Sequence, residues 1–193
     1  MGRVAKRQPS RGDGRVQLAA GGRARRCAKI LRVTGVDYLI RPASAADLDA
    51  IAAFEVEIAR ASFGDEAITD AAFHRRRVAG ALAKPGEIML VAAASAAPGL
   101  SLGWAWMSAR RNSLTGERYG NFRSLAVAAG DARGPVGELL MAAILDAADL
   151  AGFTHLSGKV NATNLGMRSL YRAFGFTATH LTMEKRTGGT GHS

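Results

Sequence analysis

Val160-Asn161-Ala162-Thr163-Asn164-Leu165-Gly166-Met167-Arg168-Ser169-Leu170-Tyr171-Arg172-Ala173-Phe174-Gly175-Phe176 is the most informative run in the chain. Met167, Leu170, Tyr171 and Phe174 fall at i, i+3, i+4 and i+7, one face of a helix, while Arg168 and Arg172 fall on the other. Asn164 stands where an N-cap belongs and Gly175 at the C′ position, so the spacing predicts a helix over 164–174. Two readings of the polar residues stay open. Asn164 is only a cap and Tyr171 only a core aromatic, or both belong to a site. The first reading explains the helix, but not what precedes it.

Upstream, Leu125-Ala126-Val127 reads as the end of a strand. It leads through Ala132-Arg133-Gly134-Pro135-Val136-Gly137 into a helix reaching about Ala151. Backbone N–H groups in such a turn, with the positive end of the helix dipole, suit phosphate anions, and glycine lets a ligand come close. An ordinary tight connection would look the same. The turn gains meaning from the order in which strand, glycine turn, helix, strand, Asn-bearing loop and helix follow one another.

Working outward, Tyr38–Arg41 predicts a first strand stopped by Pro42. Ser44, with Asp47 three residues on, gives a capping-box start to a helix over 45–60 whose apolar stripe is Leu48, Ile51, Ala52, Phe54 and Ile58. Thr69 is expected to cap a second helix running through Leu82 and ended by Lys84-Pro85-Gly86. Strands are expected over Ile88–Ala93, Leu102–Ser108, Tyr119–Val127, Phe153–Val160 and, last, Phe176–Lys185. This order is an α/β (α+β) layout with helices packed on one mixed sheet.

The net charge of +10 is concentrated at one end. Residues 1–36 hold ten Lys or Arg and a single acid, Asp13, which leaves the remainder at +1. Residues 1–36 are Gly- and Arg-rich without periodicity, and are expected to be a disordered basic tail. A solvated tail, a contact with an acidic partner, a transit peptide, and a true start near Val33 or Val36 all fit it. The folded domain is expected over 37–186, with a flexible tail over 187–193. The single cysteine, Cys27, allows no intramolecular disulfide and suits a reducing, cytoplasmic setting. No Cys/His cluster has metal-ligand spacing, and no stretch approaches the roughly 20 apolar residues of a membrane helix.

The two signals together resemble the GNAT superfamily of acyl-CoA-dependent N-acyltransferases. The resemblance covers about Tyr38 to Lys185 in layout and is sharpest over Leu125–Gly137 and Val160–Phe176. Family members carry Val-x-x-x-Asn-x-x-Ala-x-x-Leu-Tyr-x-x-x-Gly-Phe. Val160, Asn164, Leu170, Tyr171, Gly175 and Phe176 match it, and Met167 replaces Ala. The family's turn pattern falls on Ala132, Pro135 and Gly137, of which only Gly137 agrees; Pro135 also removes a backbone donor.

The resemblance implies a GNAT-like mixed, mostly antiparallel central sheet. Helices would cover both faces, and the parallel strand pair 119–127 and 153–160 would splay apart. Acetyl-CoA, as co-substrate, would lie in the gap. Leu125 and Val127 would offer backbone groups to its pantetheine arm. Gly134, Val136 and Gly137 would offer N–H groups to its pyrophosphate, with Arg133 as charge partner and Asn164 fixing the arm from the far side. Tyr171 resembles the family's general acid at the departing thiolate. An amine acceptor would attack directly, with no covalent intermediate and no metal.

The base is open. Relatives often have Glu at the position of Ser124, so Glu117 and Glu55 become candidates, with Glu57 and Glu66 behind them. Trp104, Trp106 and Tyr119 suit either the acceptor side or sheet packing. The resemblance thus implies an N-acetyltransferase acting on a small-molecule or protein amine. A catalytically weak or inactive acyl-CoA-binding module of the same fold is the alternative. Nucleic acid is expected only through the basic tail. Membrane association is not expected, and a homodimer is compatible with the sequence.

Overall fold

The computed structural model describes residues 29–33, 35–183 and 185. Among the described residues, six strands form one sheet in sequence order: β1 (Lys29–Val33), β2 (Val36–Pro42), β3 (Glu87–Ala94), β4 (Ser101–Arg111), β5 (Arg118–Val127) and β6 (Leu156–Gly158). All neighbours are antiparallel except β5 and β6, which are parallel. The helices are α1 (Leu48–Phe63), α2 (Ala71–Leu82), α3 (Arg133–Leu150) and α4 (Leu165–Ala173).

Alternation along the strands divides the interior into two cores. Trp104 and Trp106 of β4 pack with Val91 against Ile51, Phe54 and Val78 of α1 and α2. Ala105 and Met107 point the other way, where Phe122, Leu140, Ile144 and Tyr171 join them from β5, α3 and α4. The sheet is therefore covered on both faces, and its near-continuous apolar strands reflect that.

The entry to α1 is fixed by one carboxylate. Asp47 accepts hydrogen bonds from the Ser44 N–H and hydroxyl (both 2.8 Å), from both terminal nitrogens of Arg41 (2.8 Å) and from Ser101 Oγ (2.9 Å). Burial alone would raise its pKa. The hydrogen bonds from Arg41, Ser44 and Ser101 outweigh that and hold it well below the usual carboxylate range.

Several expectations are corrected. The sheet begins at Lys29, inside the segment read as tail, because Lys29-Ile-Leu-Arg-Val33 turns at Gly35 (φ 84°) and pairs with β2. Residues 1–28 and 186–193 lie outside the described residues. The cap of α2 is Asp70, not Thr69: its Oδ1 accepts the Ala72 N–H at 2.8 Å. The strand expected over 153–160 shrinks to three residues, because the chain leaves β5 after Gly158.

The strand expected over Phe176–Lys185 is absent among residues 176–183 and 185. Its alternating Thr, Leu and Met have strand propensity, but propensity acts only where a partner offers a ladder and a surface to pack on. Here Leu181 and Met183 are each 89% exposed.

Candidate functional site: a cleft where two parallel strands part

β5 and β6 pair only through Gly120–Leu156, Asn121–Ser157 and Phe122–Gly158. Beyond these residues they separate and leave a cleft of about 770 Å³. One wall is β5 from Phe122 to Val127, the other is residues 159–161 with α4, and the N-terminus of α3 and the last turns of α1 close the ends. This volume lies within the range of small-molecule sites.

A β-bulge sets the chemistry of the β5 wall. Met107 pairs with Phe122 and Trp106 with Ser124, so Arg123 is an extra residue on β5. The consequence is a change of phase. Gly120 N–H donates toward β6, to His155 O at 2.9 Å, whereas past the bulge Ala128 N–H donates toward β4, to Leu102 O at 2.8 Å. Backbone groups alternate sides along a strand. Those of Leu125 and Val127 therefore face the cleft, with no strand to bond.

The turn before α3 offers fewer donors than the sequence implies. Gly134 N–H has no partner among the described residues, and Pro135 has no N–H. Val136 is fully buried and its N–H donates to Ala132 O at 2.9 Å, so it does not serve as a ligand donor. Gly137 lines the cleft, but one turn into the helix its N–H is directed at the Arg133 carbonyl. Arg133 is exposed at the cleft mouth, and Glu138 lines the same end.

Asn164 is a helix cap that also borders the cleft. Its Oδ1 accepts the Met167 N–H at 3.0 Å and caps α4, while the residue also lines the cleft. Tyr171 likewise packs in the core and lines the cleft. Its ring is 7% exposed, edge-on to Phe122 (5.7 Å between centroids) and against Phe176 (4.8 Å). Its hydroxyl reaches the cleft floor beside Gly158, where any side chain on residue 158 would collide with it. Burial pushes the phenol pKa up, so it stays protonated well above neutral pH.

The candidate bases are not brought together. Glu117 precedes β5 at the end remote from the cleft, half-exposed and 3.7 Å from His155. Glu55 is 4% exposed, on the buried side of α1, and is ion-paired with Arg77 rather than lining the cleft. Glu66 also stays outside. Glu57, two residues past Glu55 and so on another side of the helix, is exposed and does line the cleft. Ser124 lines it too, buried. Trp104 is core; Trp106 donates its indole N–H to Glu87 Oε2 at 2.6 Å; Tyr119 stacks near His155 at the remote end.

The fold matches solved acetyltransferases. A probable acetyltransferase matches with a TM-score of 0.62 at 18% identity, covering 79% of this chain and 99% of its own. The aminoglycoside 6'-N-acetyltransferase of Acinetobacter baumannii matches with 0.59 at 15% identity, over 79% and 99%. That of Acinetobacter haemolyticus matches with 0.58 at 19% identity, over 77% and 97%. The chain has the GNAT fold. No protein-family model matches the sequence, and no curated protein matches it. At these identities the likeness is one of architecture, so within the GNAT fold the chemistry has to come from the cleft itself.

Proposed function

We propose that this protein transfers an acetyl group from acetyl-CoA to an amine by direct attack. The observation that carries the reading is the pair of unbonded backbone positions, Leu125 and Val127, facing a cleft whose floor holds the Tyr171 hydroxyl. Amide groups on an open strand edge bind an extended, amide-bearing chain as a missing strand would. The pantetheine arm is such a chain. Its pyrophosphate would meet the Gly134 N–H, the dipole of α3 and the Arg133 guanidinium, and Asn164 would hold the arm from the opposite wall.

The chemistry then assigns itself by protonation state. The amine attacks only when neutral, so a proton has to leave it, and Glu57 is the carboxylate on the α1 wall able to take it, directly or through a water. The thioester carbonyl needs a donor as it becomes an oxyanion, a role that suits a free N–H of β5. Tyr171, kept protonated by its burial, supplies the proton that the departing thiolate takes up.

A second reading, an acyl-CoA-binding module without turnover, is favoured by Ser124 in place of a strand-borne carboxylate and by the engaged Val136 N–H. One experiment separates the two. Acetyl-CoA is added to the full chain while thermal stability is followed, since a ligand that binds only the native state raises it by mass action. Free-thiol release is then measured with a panel of amines. Stabilisation with thiol release supports transfer; stabilisation with none on any amine supports the module.

A further inference from the structure

The face of the sheet that bears α1 and α2 carries a feature that acetyl-CoA binding does not use. Arg123, the bulged residue, lines the cleft, and its guanidinium carbon lies 4.6 Å from the centre of the Trp106 ring. Arg77 of α2 lies over the same ring at 5.2 Å. The ring itself is held in place by the hydrogen bond from its indole N–H to Glu87, which also accepts from Ser108 Oγ. Two cations thus share one aromatic platform, yet a single carboxylate serves them: Glu55 pairs with Arg77, and among the described residues no salt bridge reaches Arg123.

Like charges held this close repel. Burial, and then the charge of Arg123, lower the pKa of Arg77. A strand that took no bulge would have no residue here. The bulge that turns Leu125 and Val127 toward the cleft therefore also plants a guanidinium at the rim, on the side from which an acceptor can approach. A planar fork on an aromatic face is a ready site for carboxylate or phosphate oxygens. The last turns of α1, which close the cleft beside this wall, carry Glu57, an acid, while the other charged residues lining the cleft, Arg133, Glu138 and Lys159, belong to the α3 end and the opposite wall. A cation on β5 and an anion on α1 in one cleft complement a zwitterion.

We infer that the acceptor is an amine that also carries an oxyanion, with the oxyanion bound by Arg123 against Trp106 and the amine turned toward Glu57. This rests on the acetyl-transfer reading above. In the reaction the amine nitrogen bonds the thioester carbon as the carbon–sulfur bond breaks. The amine's proton leaves through Glu57 or water, and the thiolate is protonated, giving an N-acetylated acid and free CoA. Polycationic amines are disfavoured by the Arg123 guanidinium in the cleft.

The test uses matched acceptors with the full chain and acetyl-CoA: an α-amino acid against its carboxamide, and phosphoethanolamine against ethanolamine. The oxyanion member of at least one pair should have a kcat/KM roughly tenfold to a hundredfold higher, lying mainly in KM. That preference should disappear in Arg123→Gln and return in part in Arg123→Lys. The pair that shows it tells carboxylate from phosphate. Neutral members used as well as their oxyanion partners, a polycation used best, or a preference that survives Arg123→Gln would each overturn the inference while leaving acetyl transfer standing. If acetyl-CoA neither binds nor reacts, the transfer reading fails first. Stabilisation of the wild type by these zwitterions, absent in Arg123→Gln, would then still support the oxyanion site, and no such difference would refute it.

Discussion

The Tyr171 hydroxyl fills the space that a side chain at residue 158 would occupy: a Cβ built on Gly158 comes within 2.9 Å of Tyr171 Cζ and closer still to the oxygen. Gly158 is the last residue of β6 that pairs with β5. The end of strand pairing and the seat of the phenol are therefore the same place in the molecule. Gly158→Ala is expected to push the ring out of position, destabilising the fold by about 1–3 kcal/mol, as overpacking does. Thiol release should fall at least about tenfold, because a small misplacement at a reacting centre is costly. Urea denaturation and turnover measured on the same sample check both.

Tyr171→Phe should lower turnover much more than acetyl-CoA affinity, since the ring packing against Phe122 and Phe176 is retained and only the proton donor is lost. Burial raises the phenol pKa above its ordinary value near 10, so the wild-type kcat should show no loss assignable to Tyr171 below about pH 10. The stability sign follows. The folded state holds this proton more tightly than the unfolded chain, so stability is unaffected below about pH 10 and declines as pH rises above it. Equal kcat in Tyr171→Phe would remove the phenol from the mechanism.

How much of this was legible in the sequence differs from residue to residue. The stripe Met167, Leu170, Tyr171 and Phe174 reports α4 and its buried face directly, because helical period and burial coincide there. Asn164 was legible as the cap of α4, since its side-chain oxygen accepts from the third residue on. The bulge at Arg123 was not legible. Strand register depends on the partner, and Arg123-Ser124 reads in sequence as ordinary strand. The burial of Glu55 was hidden for a related reason: its pairing with Arg77 is a fact about two helices. The missing last strand shows the limit of propensity where no partner edge is in reach.

Pro135 sits third in α3, where an N–H would be free to meet an anion. Pro135→Ala is expected to add one donor beside Gly134 and to tighten acetyl-CoA binding roughly threefold to tenfold, the scale of one net hydrogen bond. Titration calorimetry on both proteins reads this directly. Unchanged affinity would place the pyrophosphate away from the start of α3.

Asp47 holds the entry to α1 and so the α1 wall of the cleft. Asp47→Asn should cost about 3 kcal/mol, the scale of a broken buried pair that leaves Arg41 uncompensated. The folded-state pKa is depressed, so the stabilisation is complete above the ordinary carboxylate value near 4 and is lost as pH falls below it. Chemical denaturation of both proteins between pH 7 and pH 3 should show the gap closing toward acid. A gap that does not close would mean that the carboxylate charge is not what stabilises the turn.

With acetyl-CoA proposed to lie between β5 and β6 and its phosphates at the start of α3, Gly134→Asp sets a negative charge beside those phosphates. A Cβ on residue 134 meets nothing within 4 Å, and an acid in the first turn suits the helix dipole, so the variant should fold with an unchanged melting temperature. Titration calorimetry should give one acetyl-CoA per wild-type chain and a loss of at least about tenfold in affinity for Gly134→Asp, from negative charge set against the pyrophosphate. Equal binding by both folded proteins, or no binding by the wild type, would contradict the account.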